Sequence, residues 1–314
     1  MYSLQYAIIL RRTEFYFRLP YKIYSPLSTV TRQLNPKKAK RKTGIWKLLF
    51  LCLLLLILYQ SYPVQFKNFV RVFSSYFQSS VKNGGSFEWN RIANGIETGL
   101  FQARSSDNLL SSDIFLIRFN PNLLETRVIF PAQASSAAVI AQATGAIATI
   151  NASFFDPQSR PLGLLIQGGK IIQRMPTAGM KNSGIFCIKY NRPYIFYRNT
   201  FELAGIQEAV QSIPRLIANG KSIRDIKDQN TKHRRSGIAI DYDGHIIIYA
   251  LDTHVGGVSL KDLQKALLHP KLNIHSALNL DGGKSSQLYF KYGNQSKHIV
   301  GLVQVPVFLA FFEK

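Results

Sequence analysis

The sequence predicts an α+β domain with a mixed, largely antiparallel sheet and flanking helices, preceded by one N-terminal membrane anchor. Three observations carry this expectation. Short β-rich runs are joined by tight two-residue turns, two helical segments interrupt them without regular strand-helix alternation, and a basic cluster stands before one apolar run.

The N-terminal part is read first because charge is concentrated there. The chain of 314 residues has 39 Lys and Arg against 17 Asp and Glu, a formal charge of +22. Residues 1–47 hold eleven basic side chains and one acid, Glu14, so this part carries +10 and the remainder +12. Lys37, Lys38, Lys40, Arg41 and Lys42 directly precede the apolar segment Ile45 to Tyr59. Its uninterrupted core, Leu48 to Tyr59, is shorter than the ~20 residues that span hydrocarbon. Trp46, Lys47 and Tyr59 extend it as interface anchors. A cleaved secretory signal begins nearer the N-terminus and ends in a small-residue site, which "YQSYPVQF" lacks. The expected organisation is a basic cytoplasmic segment over 1–44, a transmembrane signal anchor over 45–62, a stalk over 63–86 and a folded domain over 87–314. The corresponding location is a single-pass membrane protein with a cytoplasmic N-terminus and a periplasmic or extracellular catalytic domain.

Within the domain the strand candidates are Asp113 to Phe119, Thr126 to Phe130, Ile147 to Ile150, the run "GIFCIKY" and the three late runs "HSALNL", "SQLYF" and "VPVFLAFF". Gly163 to Gln173 reads as a hairpin about Gly168-Gly169, and "GIAIDYDGHIIIYALD" as another about Asp243-Gly244. One helix is expected over Ser135 to Thr144. A second starts at Ser259, a natural N-cap with Asp262 three residues on. The two cysteines, Cys52 and Cys187, supply neither a disulfide framework nor a cysteine metal site.

Chemistry is expected where polar residues end these apolar runs. Asn151 and Asp156 follow one strand, His233, Arg234 and Arg235 precede another, Asp252 and His254 follow its partner, and "NLDGGKSS" (Asn279 to Ser286) follows a third. That last stretch is not a Walker A loop, because the first glycine of G-x-x-x-x-G-K-[ST] would fall on Leu278. Asn and Asp beside Gly or Pro also form turns, and Asp243 is read as a turn residue only.

The segments "TGAIATINASFFD", "GIAIDYDGHIIIYALD", "GVSLKDLQKALL" and "ALNLDGGKSSQLYF", in this order and spacing, resemble the phosphodiester glycosidase domain, the family of the lysosomal uncovering enzyme. The resemblance runs from about Trp89 to Phe312. The family pattern has N-G-G-F-F, P-R-T and N-L-D-G-G-G-S-S. This chain has Ala152 and Ser153 in the first, Arg-Arg-Ser from 234 in the second, and Lys284 in the third. The resemblance implies a hydrolase that removes a sugar from a phosphodiester-linked glycan, exopolysaccharide or glycoconjugate at the cell envelope.

Such a reaction needs a carboxylate to stabilise positive charge at the anomeric carbon, and cations or amides for the departing phosphate. No motif contains a glutamate, so the carboxylates are Asp156, Asp241, Asp252 and Asp281. Asp281 comes first because Gly282 and Gly283 let backbone amides approach a ligand. The resemblance implies Asp281, Asn151 and Asp252 as catalytic residues. It implies Arg235, Gly282, Gly283, Lys284, Ser285, Ser286, Phe155, Asp156 and His254 as substrate-binding ones, with Arg235 and Lys284 on the phosphate. Two other classes fit the same residues. A metal-dependent phosphodiesterase would hold Ca²⁺ or Mg²⁺ with Asn151, Asp252 and Asp281, and a non-catalytic binder of envelope polyanions would need only the basic surface. No nucleic-acid motif accompanies the charge. The expected partners are therefore a phosphorylated glycan or sugar phosphodiester and the membrane.

Overall fold

The computed structural model describes residues 87–104, 111–224, 226–227, 229–253 and 256–314. Their strands form three sheets. The first has eight strands in the order β1 (Asn90–Ala93), β2 (Ile96–Arg104), β3 (Ser111–Phe119), β14 (Ile246–Asp252), β13 (Ser236–Asp241), β15 (Ile274–Asn279), β11 (Arg215–Ala218) and β12 (Lys221–Ser222). The second runs β7 (Lys170–Gln173), β6 (Leu165–Gln167), β10 (Ile206–Ser212), β8 (Gly184–Lys189) and β9 (Arg192–Tyr197). The third runs β17 (Gln295–Ile299), β16 (Leu288–Tyr292), β5 (Ala148–Asn151), β18 (Phe308–Glu313) and β4 (Leu124–Ile129).

Every ladder in these sheets is antiparallel. Among the described residues the α-helices are α1 (Ala137–Thr144) and α2 (Leu260–Leu267), each of eight residues. The expected α+β class with a mixed sheet is thereby corrected to a mainly β fold. The physical reason is that both helices are short covers laid over sheet faces, and neither links two hydrogen-bonded parallel strands.

Local chemistry explains where those helices begin and end. Ser136 Oγ accepts from Val139 N at 3.4 Å, and Gly145 closes α1 at φ 74°, a backbone angle that glycine adopts without a side-chain clash. Ser259 Oγ accepts from Asp262 N at 3.0 Å and donates to its carboxylate at 2.8 Å, so α2 starts where its N-cap predicts.

The eight-stranded sheet is buried on both faces, which is why β13 and β14 read as continuous apolar runs rather than alternating ones. One face sends Ile117, Phe119, Ile238, Ile248, Leu278 and Leu280 toward the third sheet, where Phe119 stacks on Phe311 with centroids 4.5 Å apart. The other face, with Leu116, Ala239, Ile247 and Tyr249, is covered by Leu260, Leu263 and Leu267 of α2. Truncating Leu263 to Ala, at 0% exposure, would cost about 3 kcal/mol.

Antiparallel pairing brings distant strand ends together. Gly237 at the start of β13 pairs with Asn279 at the end of β15, Arg215 at the start of β11 pairs with Leu278, and Ser236 pairs with Ala250 near the end of β14. The residues before β13 and after β14 and β15 consequently share one end of the sheet.

No helix among the described residues is long and apolar enough to cross a membrane. The expected single-pass membrane location is corrected on that finding. The predicted segments 1–44, 45–62 and 63–86, together with Cys52, lie outside the described residues.

Candidate active site

Asp281 follows β15 and is fixed by its backbone from two sheets at once. Its N–H donates to Ala152 O at 3.0 Å. Its carbonyl accepts from Asn151 Nδ2 at 2.7 Å and from Ser236 Oγ at 2.9 Å. Asn151, 0% exposed, also accepts from Gln287 N through Oδ1 at 3.0 Å. Both ends of that amide are used, so Asn151 holds the Asp281 turn and leaves the carboxyl to other work.

Gly282 and Gly283 then let the chain pass close to Arg234. Gly283 N donates to Arg234 O at 2.8 Å, and Gly283 has φ 61°, where a side chain would be strained. A Cβ on Gly282 would lie 3.1 Å from Arg234 O and 3.8 Å from Arg235 Nη1. Gly283–Ser285 make one 3-10 turn. The Asp281 carboxyl accepts a hydrogen bond from the Ser285 side chain and one from the Gly282 N–H. Burial outweighs both, and its pKa is pushed up from 3.8 to about 6. Lys284 is exposed at the rim, while Ser286 is buried with an unpartnered Oγ.

The two arginines before β13 are anchored on main-chain carbonyls. Arg235 donates through Nε to Val258 O at 3.2 Å and through Nη2 to Thr231 O at 2.7 Å. Burial lowers its pKa to about 10. Arg234 Nη2 reaches Ser286 O at 3.0 Å and Val300 O at 2.7 Å, tying the loop after Asp281 to the chain after β17.

The remaining predicted residues divide by position. Asp252 ends β14 and is hydrogen-bonded by Lys297 Nζ of β17. It pairs across the ladder with Asp113, whose pKa is raised by burial and by the Asp252 charge, against a hydrogen bond from Gln102. The carboxylate and imidazole cluster found among the described residues is Asp241, Asp243 and His245, at the opposite end of β13. There Asp241 Oδ1 accepts from Asp243 N at 3.0 Å and from His245 N at 2.8 Å, while Arg118 Nη1 lies 3.7 Å from Oδ2. These bonds mark Asp241 and Asp243 as turn formers. Asp156 sits in another turn, accepting from Gln158 N and Arg160 N at 2.9 Å each and paired with the Arg160 guanidinium. Phe155 packs on the α1 cluster, and His254 lies outside the described residues.

Ser236, Gln287, Asp113 and Lys297 were not foreseen as site residues. Ser236 had a signal in its place beside Arg235. Gln287, which also accepts from Ala137 N at 2.7 Å, had none, because Ala137 and Asn151 lie more than a hundred residues away.

Residues 144–312, more than half of the chain, match the phosphodiester glycosidase family. In fold, the chain is similar to the catalytic domain of zebrafish N-acetylglucosamine-1-phosphodiester alpha-N-acetylglucosaminidase, auto-inhibited by its pro-peptide. The TM-score is 0.57 at 16% identity, over 73% of this chain and 88% of that one. A hypothetical protein from Synechocystis is similar at TM-score 0.52 and 18% identity, over 74% of this chain and 64% of that one. Comparison with curated proteins gives no match. The structural likenesses establish a shared fold, and the match over residues 144–312 establishes the family: the chain belongs to the phosphodiester glycosidases, which are hydrolases.

Proposed function

We propose that the chain removes a sugar from a phosphodiester-linked glycan or glycoconjugate by breaking the bond between the anomeric carbon and the phosphate oxygen, with Asp281 as the catalytic carboxylate. The carrying observation is the contrast within one residue. The Asp281 main chain is held by Ala152, Asn151 and Ser236, whereas its carboxyl has, among the described residues, only Ser285 and Gly282 and a pKa of about 6. Near neutral pH that carboxyl is ionised and only weakly solvated. It can stabilise the positive charge that develops at the anomeric carbon. The phosphate leaves as a monoester anion with the bonding electron pair, water oxygen joins the anomeric carbon, and the water's proton passes to solvent.

Asn151 and Ser236 act as positioning residues. On the leaving-group side, Lys284 at the rim and Arg235 beside Gly282 are the cations we assign to the phosphate. Phosphate departs readily, so no strong general acid is required. The test is to incubate the purified full chain with the methyl diester of N-acetylglucosamine 1-phosphate and related sugars, and to measure free sugar. Release by the wild type and at least about a hundredfold loss in Asp281→Asn are expected. Equal release by both proteins would overturn the assignment.

A further inference from the structure

Among the described residues, the buried side-chain polar atoms without a hydrogen-bond partner are Trp89 Nε1, Ser153 Oγ, Ser212 Oγ, Arg215 Nε, Arg234 Nε, Asn279 Oδ1 and Ser286 Oγ. Unsatisfied buried groups are rare because each forfeits hydration. Apart from Trp89, these belong to the strand ends and loops around β15 and the Asp281 turn. Ser153, Arg234 and Ser286 adjoin that turn directly. Ser212, Arg215 and Asn279 form a second group on the side of β15 that faces β11.

This second group is tied together by its main chain. Ser212 and Arg215 bracket Ile213 and Pro214. Asn279 Nδ2 donates to Ile213 O at 3.0 Å, and Asn279 N donates to Pro214 O at 3.0 Å. Arg215 N is fixed to Asn182 O at 3.0 Å. The Arg215 stem crosses Gly184, where a Cβ would come within 2.6 Å of Arg215 Cγ, so glycine keeps this seat open. Gly184 is the ladder partner of both Ser212 and Tyr197, and the Arg215 guanidinium lies 4.5 Å over the Tyr197 ring.

Arg215 differs from its neighbours. Arg234 and Arg235 each place part of the guanidinium on backbone carbonyls, whereas that of Arg215, half-buried, has among the described residues neither a carboxylate nor a hydrogen-bond acceptor. Burial depresses its pKa, as it does for Arg234 and Arg235.

We propose that Arg215, Ser212 and Asn279 form an aglycone subsite for an anionic, hydroxylated group lying beyond the scissile phosphate. A carboxylate or phosphate oxygen of that group would accept from Arg215 and Ser212, while one of its hydroxyls would donate to Asn279 Oδ1. This rests on the hydrolytic reading above and adds to it a preference for acidic sugar aglycones.

The experiment compares two diesters of the same sugar 1-phosphate, one with a methyl aglycone and one with a carboxylated sugar aglycone. Calorimetry of inorganic phosphate binding to the full chain runs in parallel. The wild type should favour the carboxylated substrate through a lower KM. Arg215→Met should raise that KM by about tenfold or more, leave the methyl diester unchanged, and weaken phosphate binding. Ser212→Ala removes a hydroxyl with no protein partner, so it should reduce the same preference without lowering Tm. A wild type that cleaves neither diester but binds phosphate in an Arg215-dependent way would overturn the hydrolytic reading and leave an anion subsite standing. Equal KM changes on both diesters, or phosphate binding indifferent to Arg215→Met, would overturn the subsite.

Discussion

Replacing Asp281 by Asn should make the protein more stable while disabling it. The carboxyl titrates near 6 in the fold against 3.8 outside it. Folding therefore disfavours the charged form by roughly two pH units, or at most about 3 kcal/mol at about 1.4 kcal/mol per unit. The side chain keeps a solvent-facing edge, which brings the expected figure closer to 1–2 kcal/mol, on the order of half that limit. The sign follows from linkage. Because the folded pKa is raised, the native state binds the proton more tightly, and Asp281 destabilises the fold progressively as pH rises from about 4 to above 6. Asn has no charge to desolvate and can still accept from Ser285 and Gly282. Urea unfolding at pH 7.5 should show Asp281→Asn about 1–2 kcal/mol more stable, with the gain vanishing near pH 4. Turnover should fall about a hundredfold or more. A variant that is no more stable at pH 7.5 and stays within tenfold of wild-type activity would refute this reasoning and make Asp281 a turn former.

Four further outcomes follow from named contacts. The kcat/KM of the wild type should fall as pH drops through about 6, because the reaction uses the ionised Asp281; a rate that rises there would assign the carboxyl an acid role. Asn151→Ala leaves Gln287 N and the Asp281 carbonyl each short of a partner, so unfolding should show a loss of about 2 kcal/mol together with lower kcat, and an unchanged kcat would exclude a positioning role. Lys284→Met should raise KM for the diester by about tenfold with no change in Tm, since the side chain is exposed, and a fall in Tm instead would show that it supports the turn. Cys187 is fully buried and its thiol is pushed up to about 12 by desolvation, so mass spectrometry should find it unalkylated in the native protein at pH 8 and alkylated in urea.

What the sequence made legible was what nearest neighbours decide. Ser136 with Gly145 and Ser259 with Asp262 bound the two helices through contacts made within a turn or two. Gly168-Gly169 and Asp243-Gly244 marked both hairpins for the same reason. Class was misjudged because it depends on which strands pair. β5 pairs with β16 and β18, more than a hundred residues later, and no local pattern announces such ladders. The candidate site divides along the same line. Asp281 could be read from its Gly-Gly flank, but the Gln287 contact that orients Asn151 and the Gly184 seat for Arg215 exist only after distant strands have met. Asp252 shows the converse, since a polar strand end visible in sequence carries a Lys297 partner that was not.

The central claim is cleavage on the carbon side of the phosphodiester with Asp281 as the catalytic carboxylate, and the position of the new oxygen tests it most directly. The full chain is given a sugar 1-phosphodiester in water enriched with heavy oxygen, and both products are analysed by mass spectrometry. The account predicts label in the released sugar and none in the phosphate monoester. Label confined to the phosphate would mean attack at phosphorus and would contradict it.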